Sequence, residues 1–120
     1  MKKALVFLSK RDDISREAFV DYYENTHAPL IRRLLPSISE YRRNYVHHGE
    51  APHAHGRTPA REHPGFDVVT EIWFEDESAW RSFVTEISKP EVAAQIAEDE
   101  LNFLNRTANR LILVDEFRSS

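Results

Sequence analysis

The order in which hydrophobic periodicity changes along the chain constrains its fold more than any other feature. Lys3 to Ser9 (KALVFLS) is a compact apolar run stopped by the charged turn KRDD, which reads as a buried strand. Phe19, Tyr22, Tyr23, Thr26, His27 and Leu30 then recur at three- and four-residue spacing, one face of a helix. Ser15 offers that helix an N-cap, and Glu17 a first-turn carboxylate suited to the helix dipole. Pro29 has no N–H and crowds the preceding turn, so a kink or restart is expected near His27, and Pro36 ends the helix. Extended patterning returns over roughly Glu40 to His47, and again over Phe66 to Glu75 (FDVVTEIWFE). Asp76 caps a helix through Ile87 whose apolar face is Ala79, Trp80, Phe83, Val84 and Ile87. Ser88-Lys89-Pro90-Glu91 has capping-box spacing with proline in the first turn, and opens a helix to about Leu104. Arg110 to Phe117 (RLILVDEF) is the closing strand.

The order β-α-β-β-α(α)-β fits one α+β domain over residues 1–120. It is the pattern of a ferredoxin-like split βαβ fold, a four-stranded antiparallel sheet with helices on one face. Right-handed crossovers leave few alternatives. Both faces of the sheet carry apolar residues. Val69 and Trp73 oppose Val68, Ile72 and Phe74 on the third strand, and Leu111 and Leu113 oppose Ile112 and Val114 on the fourth. A monomer with one solvated face does not need this, so a homodimer packed sheet on sheet is expected. Between strands two and three, His47 to Gly65 (HHGEAPHAHGRTPAREHPG) holds every glycine of the chain and half of its six prolines, and reads as a long loop. Loops of this length are often lids or interface arms.

Several function classes are excluded early. The net charge of −4 and pI near 5.8 give no electrostatic footprint for nucleic acid. With no cysteine there is no disulfide, thiol nucleophile or thiolate metal site. The opening MKKALVFLSKRDD has an apolar run too short for a signal-peptide core or a membrane span, so a cytoplasmic protein with no membrane partner is expected.

The chemically capable residues each carry two readings. His27 shares its helical face with Tyr23 and Phe19, and an imidazole beside a phenol in an apolar setting suits proton transfer near neutral pH. It is equally a core histidine bonding carbonyls freed by Pro29. Tyr41 and Tyr45 share a strand face with Arg43 and His47, as pocket walls or donors to a ligand. Arg42 or Arg43 is a partner for a carboxylate, or simply an exposed strand residue. Asp67, Glu71 and Trp73 face one way, where a carboxylate beside an indole has acid–base potential or pairs with Arg110 or Arg118. Asp67, near the strand start, is read as structural. The loop histidines His47, His48, His53, His55 and His63 lack a fixed frame, so no metal site is assigned, and His63 or His48 would instead close over a pocket. The Trp80, Phe83, Ile87 stripe reads as core and the run Glu98-Asp99-Glu100 as solvated surface.

Phe19-Val-Asp-Tyr-Tyr-Glu-Asn-Thr-His27-Ala-Pro29-Leu30, Tyr41 in the next strand, and Asp67-Val-Val-Thr-Glu71-Ile-Trp73-Phe74 together resemble the EthD family. Asp99-Glu100 followed by Phe103 fits that family's third-helix pattern. The resemblance spans nearly the whole chain apart from the His-rich loop, which is longer than the family pattern. It implies a dimeric α+β barrel with a pocket in each subunit between sheet and helices. Related proteins include methylmuconolactone isomerases and fungal polyketide decarboxylases and dehydratases, which work by acid–base chemistry without a cofactor on small aromatic or lactone acids. The family's namesake is associated with ethyl tert-butyl ether degradation beside an oxidation system. The resemblance places an acid–base histidine at His27 and a pocket tyrosine at Tyr41.

The expected function is therefore a cofactor-independent isomerase, lyase, dehydratase or decarboxylase acting on an aromatic, lactone or polyketide-like substrate. His27, Tyr41 and Tyr23 would be catalytic, with Phe19, Tyr45, Glu71, Trp73 and His63 around the substrate. A ligand-binding accessory protein and a cofactor-free or haem-dependent monooxygenase are the alternatives. Fold-level likeness names no substrate.

Overall fold

The computed structural model describes residues 1–48 and 64–119. Four strands, β1 (Lys2–Leu8), β2 (Glu40–Tyr45), β3 (Val68–Phe74) and β4 (Arg110–Val114), form one antiparallel sheet in the order β2-β3-β1-β4. Between β1 and β2 run α1 (Arg16–Tyr22), a π-turn (Tyr23–His27) and α2 (Ala28–Leu34); α3 (Glu77–Ser88) and α4 (Pro90–Glu100) join β3 to β4. This is the α+β, ferredoxin-like arrangement that the order of elements predicts.

The strand register decides which residues meet. Ala4 lies opposite Ile72 and Leu113, and Val6 opposite Thr70 and Leu111, while Tyr41 pairs with Ile72 and Arg43 with Thr70. Side chains alternate across a strand, so these residues share the face that the helices cover. There Ile31, Leu35, Ile72, Phe74 and Phe83 build one core cluster, and Phe19, Tyr23, Val68, Phe103 and Leu104 another. The Trp80–Phe83 pair stacks at 5.6 Å and Phe74 meets Phe83 at 4.9 Å, as the α3 stripe predicts. Leu5 lies opposite both Glu71 and Ile112, and these mark the other face, together with Lys3, Val69 and Trp73.

Local signals hold at two helix starts and fail at a third. Ser15 Oγ accepts from the Ala18 N–H at 3.1 Å, and Asp76 Oδ1 from the Ala79 N–H at 2.9 Å. The expected capping box does not form, because Ser88 is still the last residue of α3 and its hydroxyl donates back to the Val84 carbonyl. Lys89 caps α4 instead, without a side-chain bond, and Pro90 supplies the preset first turn. The closing strand stops at Val114, short of the expected Phe117, which is 94% exposed. At the entry to β3, Gly65 adopts φ +97°, a region open to glycine, while its carbonyl accepts from Ser9 Oγ. Of the loop expected over His47 to Gly65, His53, His55 and His63 lie outside the described residues.

Candidate active site

Phe19, Tyr23 and His27 are spaced at four residues and all three are buried. Pro29 brings no N–H and its ring crowds the carbonyl four residues back. The chain does not break there. It widens into the π-turn, in which the Ala28 N–H reaches the Tyr23 carbonyl, and α2 continues beyond it. Such single π-turns recur at functional sites because the extra residue re-aims the side chains of one turn.

His27 is 3% exposed, between Phe103 (ring centroids 4.8 Å apart) and Tyr23 (5.2 Å). Its Nδ1 lies 2.7 Å from Asp99 Oδ2 on α4. The other oxygen of Asp99 accepts from the Tyr22 hydroxyl at 2.7 Å, and that hydroxyl accepts from Asn102 Nδ2 at 3.0 Å. A carboxylate only accepts, so the Nδ1 facing it carries the proton. Nε2 has no hydrogen-bond partner among the described residues and is the nitrogen left for a ligand. Burial pushes the His27 pKa below its ordinary 6.5, against the upward pull of Asp99 and the charge of Glu100. At neutral pH the ring is therefore uncharged, with a basic lone pair on Nε2.

Tyr41 donates to the Tyr23 hydroxyl at 3.2 Å, and that hydroxyl shares a 2.7 Å hydrogen bond with Thr70 Oγ1. Burial raises both phenols above their ordinary 10, so both stay protonated donors. His27, Tyr23, Tyr41 and Thr70 line one cavity of about 410 Å³ between the sheet and the helices. Its other walls include Ile31, Ile72, Phe83, Ile96 and Leu111, so a few polar groups stand among apolar walls.

The residues expected around a ligand part company. His27, Tyr23 and Tyr41 come together at the cavity. Phe19 packs behind them, edge-on to Tyr23 and Tyr45, as core. Tyr45 donates to Glu24 at 2.5 Å, and Arg43 grips the same carboxylate through two nitrogens at 2.9 and 2.6 Å. Arg43 is thereby engaged, and Arg42 is exposed beside Glu40. Glu71 and Trp73 lie on the opposite face of the sheet, apart from His27. There Glu71 pairs with Lys3 at 2.5 Å, and the Lys3 ammonium sits 4.4 Å from the Trp73 ring. Asp67 accepts from the Lys10 N–H and meets His48 Nε2, both at 2.8 Å, rather than an arginine. His63 lies outside the described residues.

Asp99 is the residue that the acidic run concealed. It and Glu100 are half-buried rather than solvated surface, because α4 turns them toward α1 and the cavity. The signal lies in the spacing: Asp99 stands three after Ile96 and four before Phe103, inside the apolar stripe of α4.

The model of the EthD domain matches residues 11–107. No curated protein is significantly similar in sequence. Among solved structures, an ethyl tert-butyl ether D (EthD) family protein from Bacillus halodurans is 21% identical, with TM-score 0.61, over 98% of this chain and 100% of that one. A protein from Arabidopsis thaliana is 18% identical, with TM-score 0.63, over 100% and 99% of the two chains. HapK from Hahella chejuensis is 14% identical, with TM-score 0.61, over 100% and 96%. These likenesses carry the fold. The domain match runs from the turn after β1 to the turn before β4 and takes in Tyr23, His27, Tyr41, Thr70 and Asp99, and the chain belongs to the EthD family.

Proposed function

We propose that this EthD-family protein is a small-molecule enzyme that moves protons at a carbon beside a carbonyl group. The observation that carries this reading is the 2.7 Å His27–Asp99 pair at the wall of an apolar cavity, with Nε2 bonded to no group among the described residues. In the proposed step Nε2 takes a proton from the carbon, and the C–H electron pair moves to the carbonyl oxygen as an enolate. A phenolic proton of Tyr41 or Tyr23, rotated from its present partner, bonds that oxygen. The imidazolium, held by Asp99, then returns the proton to a different carbon or to a leaving oxygen. Isomerisation and dehydration thus need the same parts, and neither consumes an oxidant or a cofactor. The substrate class that suits these walls is an aromatic, lactone or polyketide-like carbonyl compound.

A second copy of the chain is proposed to cover the far face of the sheet. Leu5, Phe7, Val69, Trp73 and Val114 are half-buried there, and Ile112 is 44% exposed. Trp73 Nε1 is buried with no hydrogen-bond partner among the described residues. Both facts suit a surface that packs against another sheet.

The test uses phenylpyruvate, an aromatic 2-keto acid with an enolisable carbon, in D2O. Proton NMR should show exchange at that carbon faster than in buffer alone, and His27→Gln should return it to the buffer rate while the protein stays folded. Undiminished exchange in folded His27→Gln overturns the reading. Binding without exchange would mark a ligand-binding accessory protein instead.

A further inference from the structure

Three hydroxyl groups meet at the wall of the cavity, and their protons outnumber their acceptors. Tyr41 Oη lies 3.2 Å from Tyr23 Oη, which lies 2.7 Å from Thr70 Oγ1. None of the three oxygens has another hydrogen bond among the described residues. Each hydroxyl carries one proton, so three protons share two contacts and one is left over. As the oxygens stand, Tyr41 donates to Tyr23. If Tyr23 then donates to Thr70, the Thr70 proton is left over; if Thr70 donates to Tyr23, the Tyr23 proton is. Both residues are only 1% exposed, and buried hydroxyls are nearly always bonded.

One arrangement bonds all three protons. An acceptor oxygen placed on Tyr41 takes its phenolic proton, Tyr23 turns its own toward Tyr41, and Thr70 turns its own toward Tyr23. The 3.2 Å contact is longer than the usual O–H···O range, so Tyr41 is the member most easily drawn to a newcomer. Tyr41 is also half-buried, whereas Tyr23 and Thr70 are closed off. Its ring is held from the side by Arg43, which donates to the Tyr41 carbonyl at 2.8 Å and sits 4.9 Å from the ring centre. Arg43 is itself fixed by Glu24. A guanidinium so placed favours the partial negative charge that a phenol acquires when it donates.

We propose that Thr70, Tyr23 and Tyr41 form a hydroxyl relay that turns toward a carbonyl oxygen of the ligand, with Tyr41 in contact and Tyr23 and Thr70 as positioning residues behind it. Resting on the reading of this cavity as the substrate site, the relay makes Tyr41 the phenol that meets the developing enolate and gives Thr70 a role in the reaction. No proton changes oxygen in the reversal; only the hydroxyl hydrogens turn. Hydrogen bonds in a chain polarise one another, so the contact at the ligand strengthens as negative charge gathers on its oxygen.

The experiment reads the infrared carbonyl stretch of bound acetophenone, an aromatic ketone whose only polar atom is the acceptor. The frequency should be lowest on the native chain and highest in Tyr41→Phe. Thr70→Val, which keeps the shape and loses the hydroxyl, should lie between, and Thr70→Ser should stay at the native position. Tyr23→Phe should also lie between, and adding Thr70→Val to it should change nothing, because Thr70 reaches the ligand only through Tyr23. In calorimetric titrations acetophenone should bind about tenfold more weakly to Tyr41→Phe and about twofold more weakly to Thr70→Val. Ethylbenzene, which has no acceptor, should bind the native chain and these two variants alike. If Tyr23→Phe does not fold, the Thr70→Val and Thr70→Ser pair carries the test. A native frequency in Thr70→Val, a further shift on adding Thr70→Val to Tyr23→Phe, or no binding of acetophenone by the native chain overturns the relay. The expected frequencies without deuterium exchange would sink the proposed proton transfer and leave the relay standing; exchange with unmoved frequencies would do the reverse.

Discussion

Replacing Asp99 with asparagine keeps the shape of the side chain and removes its charge, so it isolates what the carboxylate does for His27. In the native protein Asp99 accepts two hydrogen bonds at 2.7 Å, from Tyr22 and from His27 Nδ1. An asparagine whose oxygen keeps the tyrosine turns its NH2 toward Nδ1, and the imidazole must then accept there and carry its proton on Nε2. A hydrogen bond to a charged group contributes about 1.5–3 kcal/mol. At 1.36 kcal/mol per tenfold, that is about 10- to 150-fold in the population of the catalytic tautomer. Long-range proton–nitrogen NMR of the imidazole reads this directly. Native His27 should be the Nδ1–H form at pH 7, and Asp99→Asn should shift it to Nε2–H. The same change removes an upward pull on the His27 pKa, so it should titrate still further below 6.5. Native His27 in the Nε2–H form, or an unchanged tautomer in Asp99→Asn, would refute the reasoning.

Other consequences are measurable by simpler means. The lowered His27 pKa means that between its folded value and 6.5 the unfolded chain binds a proton that the folded one does not. Urea denaturation should therefore show stability rising with pH across that window, and His27→Gln should flatten the rise. Tyr23→Phe strands the buried Thr70 hydroxyl and takes the acceptor from Tyr41, so it should cost about 1–3 kcal/mol by urea denaturation; adding Thr70→Val should recover part of the loss. Phe103, fully buried against Phe19, Tyr22, Tyr23 and His27, should cost about 3–5 kcal/mol as Phe103→Ala in the same assay. Trp73→Ala, on the far face of the sheet, should weaken self-association in sedimentation and leave proton exchange unchanged.

The sheet and its helices are written in the hydrophobic period, since burial of one face sets each element and the crossover rules set the order. The cavity is written less openly. Alternation along β3 shows that Glu71 and Trp73 share a face, but not that helices cover the face of Thr70 and Ile72 instead. That choice depends on the pairing of whole strands. The π-turn escapes a 3.6-residue reading because one turn takes an extra residue, a local answer to Pro29. Asp99 was hidden because a run of acids reads as solvent-facing until Tyr22 and His27 arrive from 77 and 72 residues away. Helical spacing puts Tyr23 and His27 on one apolar face, but it leaves His27 equally a core histidine; the pocket reading of His27 and Tyr41 comes from the likeness of their motifs to the EthD pattern.

The most direct test of the account is the pH dependence of deuterium incorporation into phenylpyruvate by the native chain. If His27 Nε2 is the base, the rate rises as the imidazole loses its proton, with a midpoint below 6.5, and then holds level until the phenols begin to ionise above 10. Asp99→Asn should move that midpoint lower. A rate that ignores pH, or whose midpoint lies above 6.5, would contradict the assignment of His27 as the proton carrier.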